Sequence, residues 1–269
     1  MTRPFAEVIG DPIAHSKSPG IHGFWLEALG IEAEYRATHV LPDGLAAYFE
    51  SRRADPAWRG CNITIPYKQA ALDWVEDRGG VRTSIGAVNT VIRDGGALIG
   101  TNTDAGGFYA PIAGLELEGA HAVVIGAGGA ARAVLFALAR LGIGRVTIQN
   151  RNVLKAAALL SSFGIKGDAM PLGSPLTPAA LVVNTSSLGM NGYPPLEIDL
   201  SGLPEDAVVY DLVYAPLETG LLAQARAREL HTVDGLDMLI GQAALAFELF
   251  FGAEPPRERD DELRALLVS

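Results

Sequence analysis

The chain has 269 residues, 49% apolar and 19% charged, enough for two domains of ordinary size and too apolar for a disordered chain. Its 31 glycines and 16 prolines are scattered, which excludes collagen-like and low-complexity repeats. Lys and Arg number 21 against 31 Asp and Glu, a net charge of −10, so the basic footprint of a nucleic-acid partner is missing.

Short apolar runs alternate with helical patterns along most of the chain. Residues 5–10, 34–40, 61–65 and 87–92 read as strands, each short and bounded by Gly, Pro or Asn. Between them, 19–29, 44–53 and 68–77 carry apolar residues at helical spacing. Residues 98–101 form one more strand, paired as a hairpin through Asp94-Gly95-Gly96. Asp104 opens another helical stretch, and a second series begins with strands at 121–126, 145–149, 181–184, 208–214 and 231–233. Residues 171–178 and 190–195 are Pro/Gly-rich loops, and 237–251 is the last long helix. The alternation predicts two α/β layers with largely parallel sheets, divided near residue 104.

One cysteine, Cys61, excludes an internal disulfide and a multi-cysteine zinc site, and no metal is expected. The opening MTRPFAEVIGDPIAH has no apolar stretch followed by a small-residue cleavage pattern. The longest apolar runs are broken by Arg132 or Glu248, so neither a secretory signal nor a membrane span is expected. A reducing, cytoplasmic setting follows.

The strand ending Val123-Val124-Ile125 leads into Gly126-Ala127-Gly128-Gly129-Ala130-Ala131 and an Ala/Leu-rich helix. This is G-x-G-x-x-A between a strand and a helix, the setting a dinucleotide fingerprint requires. Gly126 permits the tight turn, Gly128 lets a pyrophosphate approach the backbone, and Ala131 keeps the helix close to the sheet. The helix N-terminus favours the phosphate charge. After the second strand, an acidic residue would bind the ribose 2′-hydroxyl of NAD. The chain instead has Asn150-Arg151-Asn152, with Lys155 one turn on. A guanidinium pairs with a 2′-phosphate where a carboxylate would repel it, so the expected cofactor is NADP.

Four polar clusters mark the first half: His15-Ser16-Lys17-Ser18-Pro19, Asn62-Ile63-Thr64-Ile65-Pro66-Tyr67-Lys68, Gly86-Ala87-Val88-Asn89-Thr90 and Gly100-Thr101-Asn102-Thr103-Asp104. Ser16 and Ser18 suit either a helix cap or a carboxylate. Asn62 and Thr64 face one side of a strand. Lys68 is expected in the first turn of a helix, where the macrodipole favours anions, so its placement hints at a function. Asp104 alone reads as a helix cap. Together, Lys68 and Asp104 offer the proton exchange that alcohol–ketone chemistry needs beside a hydride-transfer carbon.

The segments HSKSP, NITIPYK, GAVNT, GTNTD, GAGGAAR, NRN, NTSSLGM, YDLVY and DGLDMLIGQ occur in the order seen in shikimate dehydrogenases. Over residues 8–250 the chain resembles that family, whose members interconvert 3-dehydroshikimate and shikimate with NADP in aromatic amino-acid biosynthesis. The resemblance implies an α/β fold of two domains with a cleft between them. The substrate domain would span residues 1–103 together with returning helices over 237–269, and a Rossmann-type NADP domain would span 104–236. It also implies that Ser16 and Ser18 hold the substrate carboxylate, and that Thr64, Asn89 and Asp104 bind ring hydroxyls with Lys68, the proton-transfer residue. Tyr214 and Gln242 would complete the substrate pocket. The cofactor would rest on Gly126, Ala127, Gly128, Gly129, Ala130, Asn150, Arg151, Asn152 and Lys155, with Leu212 and Gly235 near the nicotinamide. Taken alone, Gln242 reads only as a polar position on a helix.

The chain departs from the family pattern in three places. Asn152 stands where Thr is usual, Thr185 replaces a common Ala, and Gly79-Gly80 replaces polar helical residues. A quinate/shikimate dehydrogenase with NAD use would carry an acidic residue after the second Rossmann strand, which is missing here. A non-catalytic ligand sensor would have shed Lys68 or Asp104, and both are present. Cys61 reads as a small packed residue rather than a nucleophile. The partners expected are small molecules, and the oligomeric state is left open, a homodimer being one option.

Overall fold

The computed structural model describes residues 3–268. It divides into two compact units, Met1–Asp104 with Ile240–Ser269, and Ala105–Leu239. The chain thus returns to the first unit at Ile240, three residues later than the sequence suggests.

The first unit runs β1 (Phe5–Gly10), α1 (Ser18–Ala28), β2 (Glu34–His39), α2 (Leu45–Ala54), β3 (Trp58–Ile63), α3 (Val81–Ser84), β4 (Thr90–Asp94) and β5 (Ala97–Thr101). Its sheet has the order β2-β1-β3-β4-β5. β1 pairs in parallel with β2 and β3, while β3–β4 and β4–β5 are antiparallel. The β4–β5 hairpin closes through Gly95 and Gly96, both at positive φ, as the sequence indicates. One expected helix is missing. Residues 65–69 are turns, followed by a single 3₁₀ turn at Ala70–Asp73, so Lys68 is not in the first turn of an α-helix. Without that helix, no macrodipole sets Lys68 apart from other lysines.

Every residue of β1 is buried, Glu7 included. Its carboxylate accepts from Tyr48 Oη at 2.8 Å, from Arg52 Nε at 2.5 Å and Nη2 at 3.2 Å, and from Thr38 Oγ1. A buried carboxylate is tolerable only when paired and hydrogen-bonded in this way. On α1, fully buried His22 stacks on Tyr35 at a centroid distance of 3.8 Å and lies 5.8 Å from the Phe247 ring.

The second unit contains α4 (Asp104–Tyr109, beginning at the last residue of the first), β6 (His121–Ile125), α5 (Gly129–Arg140), β7 (Arg145–Asn150), α6 (Val153–Phe163), β8 (Gly167–Pro171), β9 (Leu181–Asn184), β10 (Val208–Asp211), α7 (Gly220–Ala227) and β11 (His231–Val233). Helix α8 (Gly235–Phe251) begins there and ends in the first unit, which also holds α9 (Asp260–Val268). The sheet order is β11-β10-β9-β6-β7-β8, with every pairing parallel. This doubly wound order reverses between β6 and β9, the point where such sheets bind nucleotides. Alternation along the strands splits the core. Ala122 and Val124 face α5 and α6 residues such as Val134 and Leu159, while Val123 and Ile125 pack with Val209 and Leu222.

Strand β8 carries little strand signal of its own. Its segment Gly-Asp-Ala-Met-Pro has no β-branched residue and lies at the sheet edge. Glycine is required at its start, because a Cβ at Gly167 would sit 1.7 Å from the Val146 carbonyl oxygen.

Burial lowers the His22 pKa from 6.5 to about 3, and neither ring nitrogen has a hydrogen-bond partner among the described residues. The unfolded chain therefore takes up a proton near pH 6.5 that the folded chain refuses until about 3. Stability from this site is complete above pH 6.5 and falls by about 1.4 kcal/mol per pH unit below it. His22→Phe, which keeps a ring in the stack, is expected to reduce the stability lost between pH 7 and pH 5 by about 2 kcal/mol. Urea unfolding of both proteins at the two pH values checks this, and equal losses would count against it.

Candidate active site

In the first unit the register of β3 against β4 sets Asn62 opposite Thr90. Asn62 Nδ2 donates to Thr90 Oγ1 at 3.0 Å, and Tyr35 Oη donates to Asn62 Oδ1 at 2.6 Å. Thr90 Oγ1 donates in turn to Asn89 Oδ1 at 3.0 Å, which also accepts from the Thr103 backbone N–H at 2.7 Å. The Asn89 amide nitrogen faces Thr103 Oγ1 and Asp104 Oδ1, each at 2.9 Å, and Gln242 Oε1 at 3.3 Å. With acceptors on one side and donors on the other, the orientation of the Asn89 amide is fixed. The other Asp104 oxygen, Oδ2, accepts from Lys68 Nζ. The side chains of Lys68 and Asp104 are only 16% and 6% exposed, so the ion pair is largely out of water.

Four residues expected to act together, Lys68, Asn89, Asp104 and Gln242, thus meet in one buried polar network. Gln242 comes to it on α8, from a part of the chain that only the resemblance connected to the others. The network also contains Tyr35, Thr90 and Thr103, which the sequence reading did not single out. Thr90 and Thr103 adjoin Asn89 and Asp104 inside quoted motifs, and that adjacency was their only signal. Ser18 begins α1 and is buried, and Ser16 Oγ accepts from its backbone N–H at 3.3 Å. Thr64 lies just beyond β3, its N–H donating to the Ile9 carbonyl at 2.9 Å. Cys61 is fully buried and burial pushes its thiol pKa up, as suits a packed residue.

In the second unit the glycine loop leaves β6 at the switch point. Gly126 has φ +104°, and a Cβ there would lie 2.8 Å from Thr185 Oγ1. The Thr185 N–H and hydroxyl both donate to the Ile125 carbonyl, at 2.8 and 2.7 Å. The departure at position 185 therefore adds a hydroxyl bond to this loop. Above Gly128 the space is open, since a Cβ there meets nothing among the described residues within 4 Å. Gly129 and Ala130 begin α5, Ala127 is buried, and Ala131 is fully buried against the sheet.

Asn150 Nδ2 donates to the Asn152 carbonyl at 2.8 Å, closing the turn after β7. Asn152 Oδ1 caps α6 by accepting from the Lys155 N–H at 3.0 Å. Threonine serves the same capping role, so Asn152 is a conservative departure. Arg151 and Lys155 are exposed around this turn. The open backbone over Gly128, the start of α5 and these two cations fit a phosphorylated dinucleotide. Leu212 and Gly235 are close neighbours, because a Cβ on Gly235 would lie 2.4 Å from the Leu212 carbonyl oxygen. Tyr214 follows β10 and is half-buried, with its phenol pKa raised by burial.

A glycine loop at the switch point of a doubly wound parallel sheet defines a dinucleotide-binding protein of the kind found among oxidoreductases. Comparison with known proteins narrows the class. Residues 8–91 match the shikimate dehydrogenase substrate binding domain, 110–176 the shikimate / quinate 5-dehydrogenase model, and 235–260 the shikimate 5'-dehydrogenase C-terminal domain. The shikimate dehydrogenase (NADP(+)) of Sphingopyxis alaskensis is 68% identical over 99% of this chain and 97% of its own. That of Rhodopseudomonas palustris is 47% identical over 99% and 96%. The solved shikimate 5-dehydrogenase of Thermus thermophilus, in complex with NADP(H) and shikimate, is 38% identical. It superposes with a TM-score of 0.88 over 98% of this chain and 99% of its own. The chain belongs to the shikimate dehydrogenase family.

Gly126→Ala places a methyl group in left-handed backbone and against Thr185. It is expected to cost at least about 1–2 kcal/mol, the scale for such a conformation in a residue with a Cβ. A thermal melt checks this, and an unchanged midpoint would contradict it.

Proposed function

We propose that this chain reversibly reduces 3-dehydroshikimate to shikimate with NADPH, a step of aromatic amino-acid biosynthesis, in the cytoplasm. The largely buried Lys68–Asp104 pair, pinned through Asp104 Oδ1 by Asn89, is the observation that carries the reading. In it the first unit is the substrate domain and the second the NADP domain. Ser16 and Ser18 hold the substrate carboxylate. Thr64, Asn89, Asp104 and Gln242 hold the ring.

When bound, NADPH supplies the hydride that reduces the ring carbonyl. Lys68 Nζ gives a proton to the carbonyl oxygen as negative charge develops there, and takes it back in the oxidising direction. Asp104 Oδ2 keeps the ammonium aimed, and Asn89 keeps the carboxylate from turning. Desolvation of this pair strengthens its interaction with the developing charge. Arg151 and Lys155 receive the 2′-phosphate, and no carboxylate among residues 150–155 repels it, which favours NADP over NAD.

Lys68→Ala is expected to lower kcat for shikimate oxidation by about 10²-fold or more, the scale of lost general acid–base help. NADP affinity, measured separately by titration, is expected to hold. Turnover near wild type in a folded variant would remove Lys68 from the mechanism.

Arg151→Ala is expected to weaken NADP by about tenfold or more, the scale of a lost charge-assisted pair, while NAD changes little. Kinetics with both cofactors in parallel check this. Equal losses for the two would show that Arg151 does not read the phosphate.

A further inference from the structure

One buried carboxylate in the second unit has no part in the chemistry above. Asp211, the last residue of β10, is fully buried. Its Oδ1 accepts from Asn184 Nδ2 at 2.9 Å and from the Val213 N–H at 3.0 Å, and its Oδ2 accepts from Thr219 Oγ1 at 2.7 Å. Each partner governs a different segment. Asn184 ends β9, where its Oδ1 accepts from the Ser186 N–H at 3.0 Å and Oγ at 2.7 Å. Its Nδ2 also reaches the Leu188 carbonyl at 3.0 Å, so the loop after β9 is folded around this side chain. Thr219 caps α7, accepting from the Leu222 N–H at 3.2 Å.

The segments held in this way touch both sides of the nucleotide site. The 185–186 backbone lies against Gly126, 3.2–3.3 Å from where its Cβ would be. The carbonyls of Leu212 and Val213 lie 2.4 and 2.6 Å from the corresponding point on Gly235. Burial raises the Asp211 pKa while its three donors oppose the rise, as expected of a carboxylate whose lone pairs are already in use.

We propose that Asp211 is a positioning residue of the dinucleotide site. From one buried point it fixes both the 184–188 loop beside the glycine turn and the 212–213 backbone beside Gly235. This rests on the reading that those segments receive NADP. Asn cannot replace Asp211 without fault: its amide would turn N–H groups either toward Asn184 Nδ2, itself a donor, or toward Thr219, whose hydroxyl would then lose its acceptor.

The test compares Asp211→Asn, Thr219→Val, Thr219→Ser and Gly128→Val, with NADP and shikimate dissociation constants measured singly by calorimetric titration and folding followed by circular dichroism. Asp211→Asn is expected to raise Kd and KM for NADP about tenfold while Kd for shikimate and kcat change far less, the signature of lost uniform binding. Thr219→Val, which removes the donor to Oδ2, is expected to weaken NADP severalfold. Thr219→Ser, which restores the hydroxyl, is expected to recover most of that loss. This pair decides the matter if Asp211→Asn does not fold. A merely structural carboxylate predicts a lower melting temperature with NADP affinity intact, and that result overturns the proposal. So does a Thr219→Ser variant as weak as Thr219→Val. In Gly128→Val the added Cβ meets nothing among the described residues within 4 Å, and the variant tests the reading beneath the proposal, its folding followed by circular dichroism like the others. If it binds NADP like wild type, the dinucleotide site is misplaced and the proposal falls with it. If it loses NADP while Asp211→Asn does not, only the role of Asp211 falls.

Discussion

An ammonium and a carboxylate taken out of water need partners for every remaining lone pair and proton, and in the first unit this constraint organises the middle of the sheet. Lys68 covers one oxygen of Asp104 and Asn89 covers the other. Asn89 in turn needs donors for its own carbonyl, which Thr90 and the Thr103 backbone supply. Asn62 and Tyr35 extend the chain of bonds to β2. The antiparallel β3–β4 register makes this possible, because it sets Asn62 opposite Thr90. A slip of one residue would turn these side chains to the opposite face and leave the pair unsupported. The same strands that carry the apolar core therefore fix the polar geometry.

On the function proposed above, the second unit meets a different requirement, close approach of backbone to an anion. Parallel strands end on one edge of the sheet, and where the order reverses between β6 and β9 the departing loops separate. Small residues keep that space open: Gly126 beside Thr185, Gly128 with nothing above it, and Ala131 against the sheet. One unit uses dense hydrogen bonding to hold charges still, and the other uses the lack of side chains to leave backbone uncovered.

Much of this was legible in the sequence because the signals were local. Strand β1 and its bounding glycine, the β4–β5 hairpin, and the strand–glycine–helix passage through Gly126 all follow from spacing and turn chemistry. Lys68 shows where spacing misleads. Apolar residues after it recur at helical intervals, yet residues 65–69 are turns and Glu76 is already bridged to Ile99, so only a 3₁₀ turn lies between them. Strand β8 was hidden because its pairing depends on the edge of β7 rather than on its own residues. Tyr35, Thr90 and Thr103 could not be assigned to the site, since their part in it comes from register and from contacts across 13 to 27 residues of sequence. Gln242 was placed by resemblance alone, and no local pattern would have joined it to Asn89, 153 positions earlier.

The first unit is discontinuous in the chain, and this bears on the order in which the protein is made. Its core includes Phe247, which meets Trp25 and His22, while everything from Ala105 to Leu239 belongs to the other unit. At translation speeds of about 5–20 residues per second, α1 and β2 emerge from the ribosome on the order of ten seconds before α8 can cover them. The contiguous second unit has all its strands by then and can close first. The nascent N-terminal sheet meanwhile waits without the aromatic side chain of Phe247 that packs on Trp25 and His22 in the finished fold.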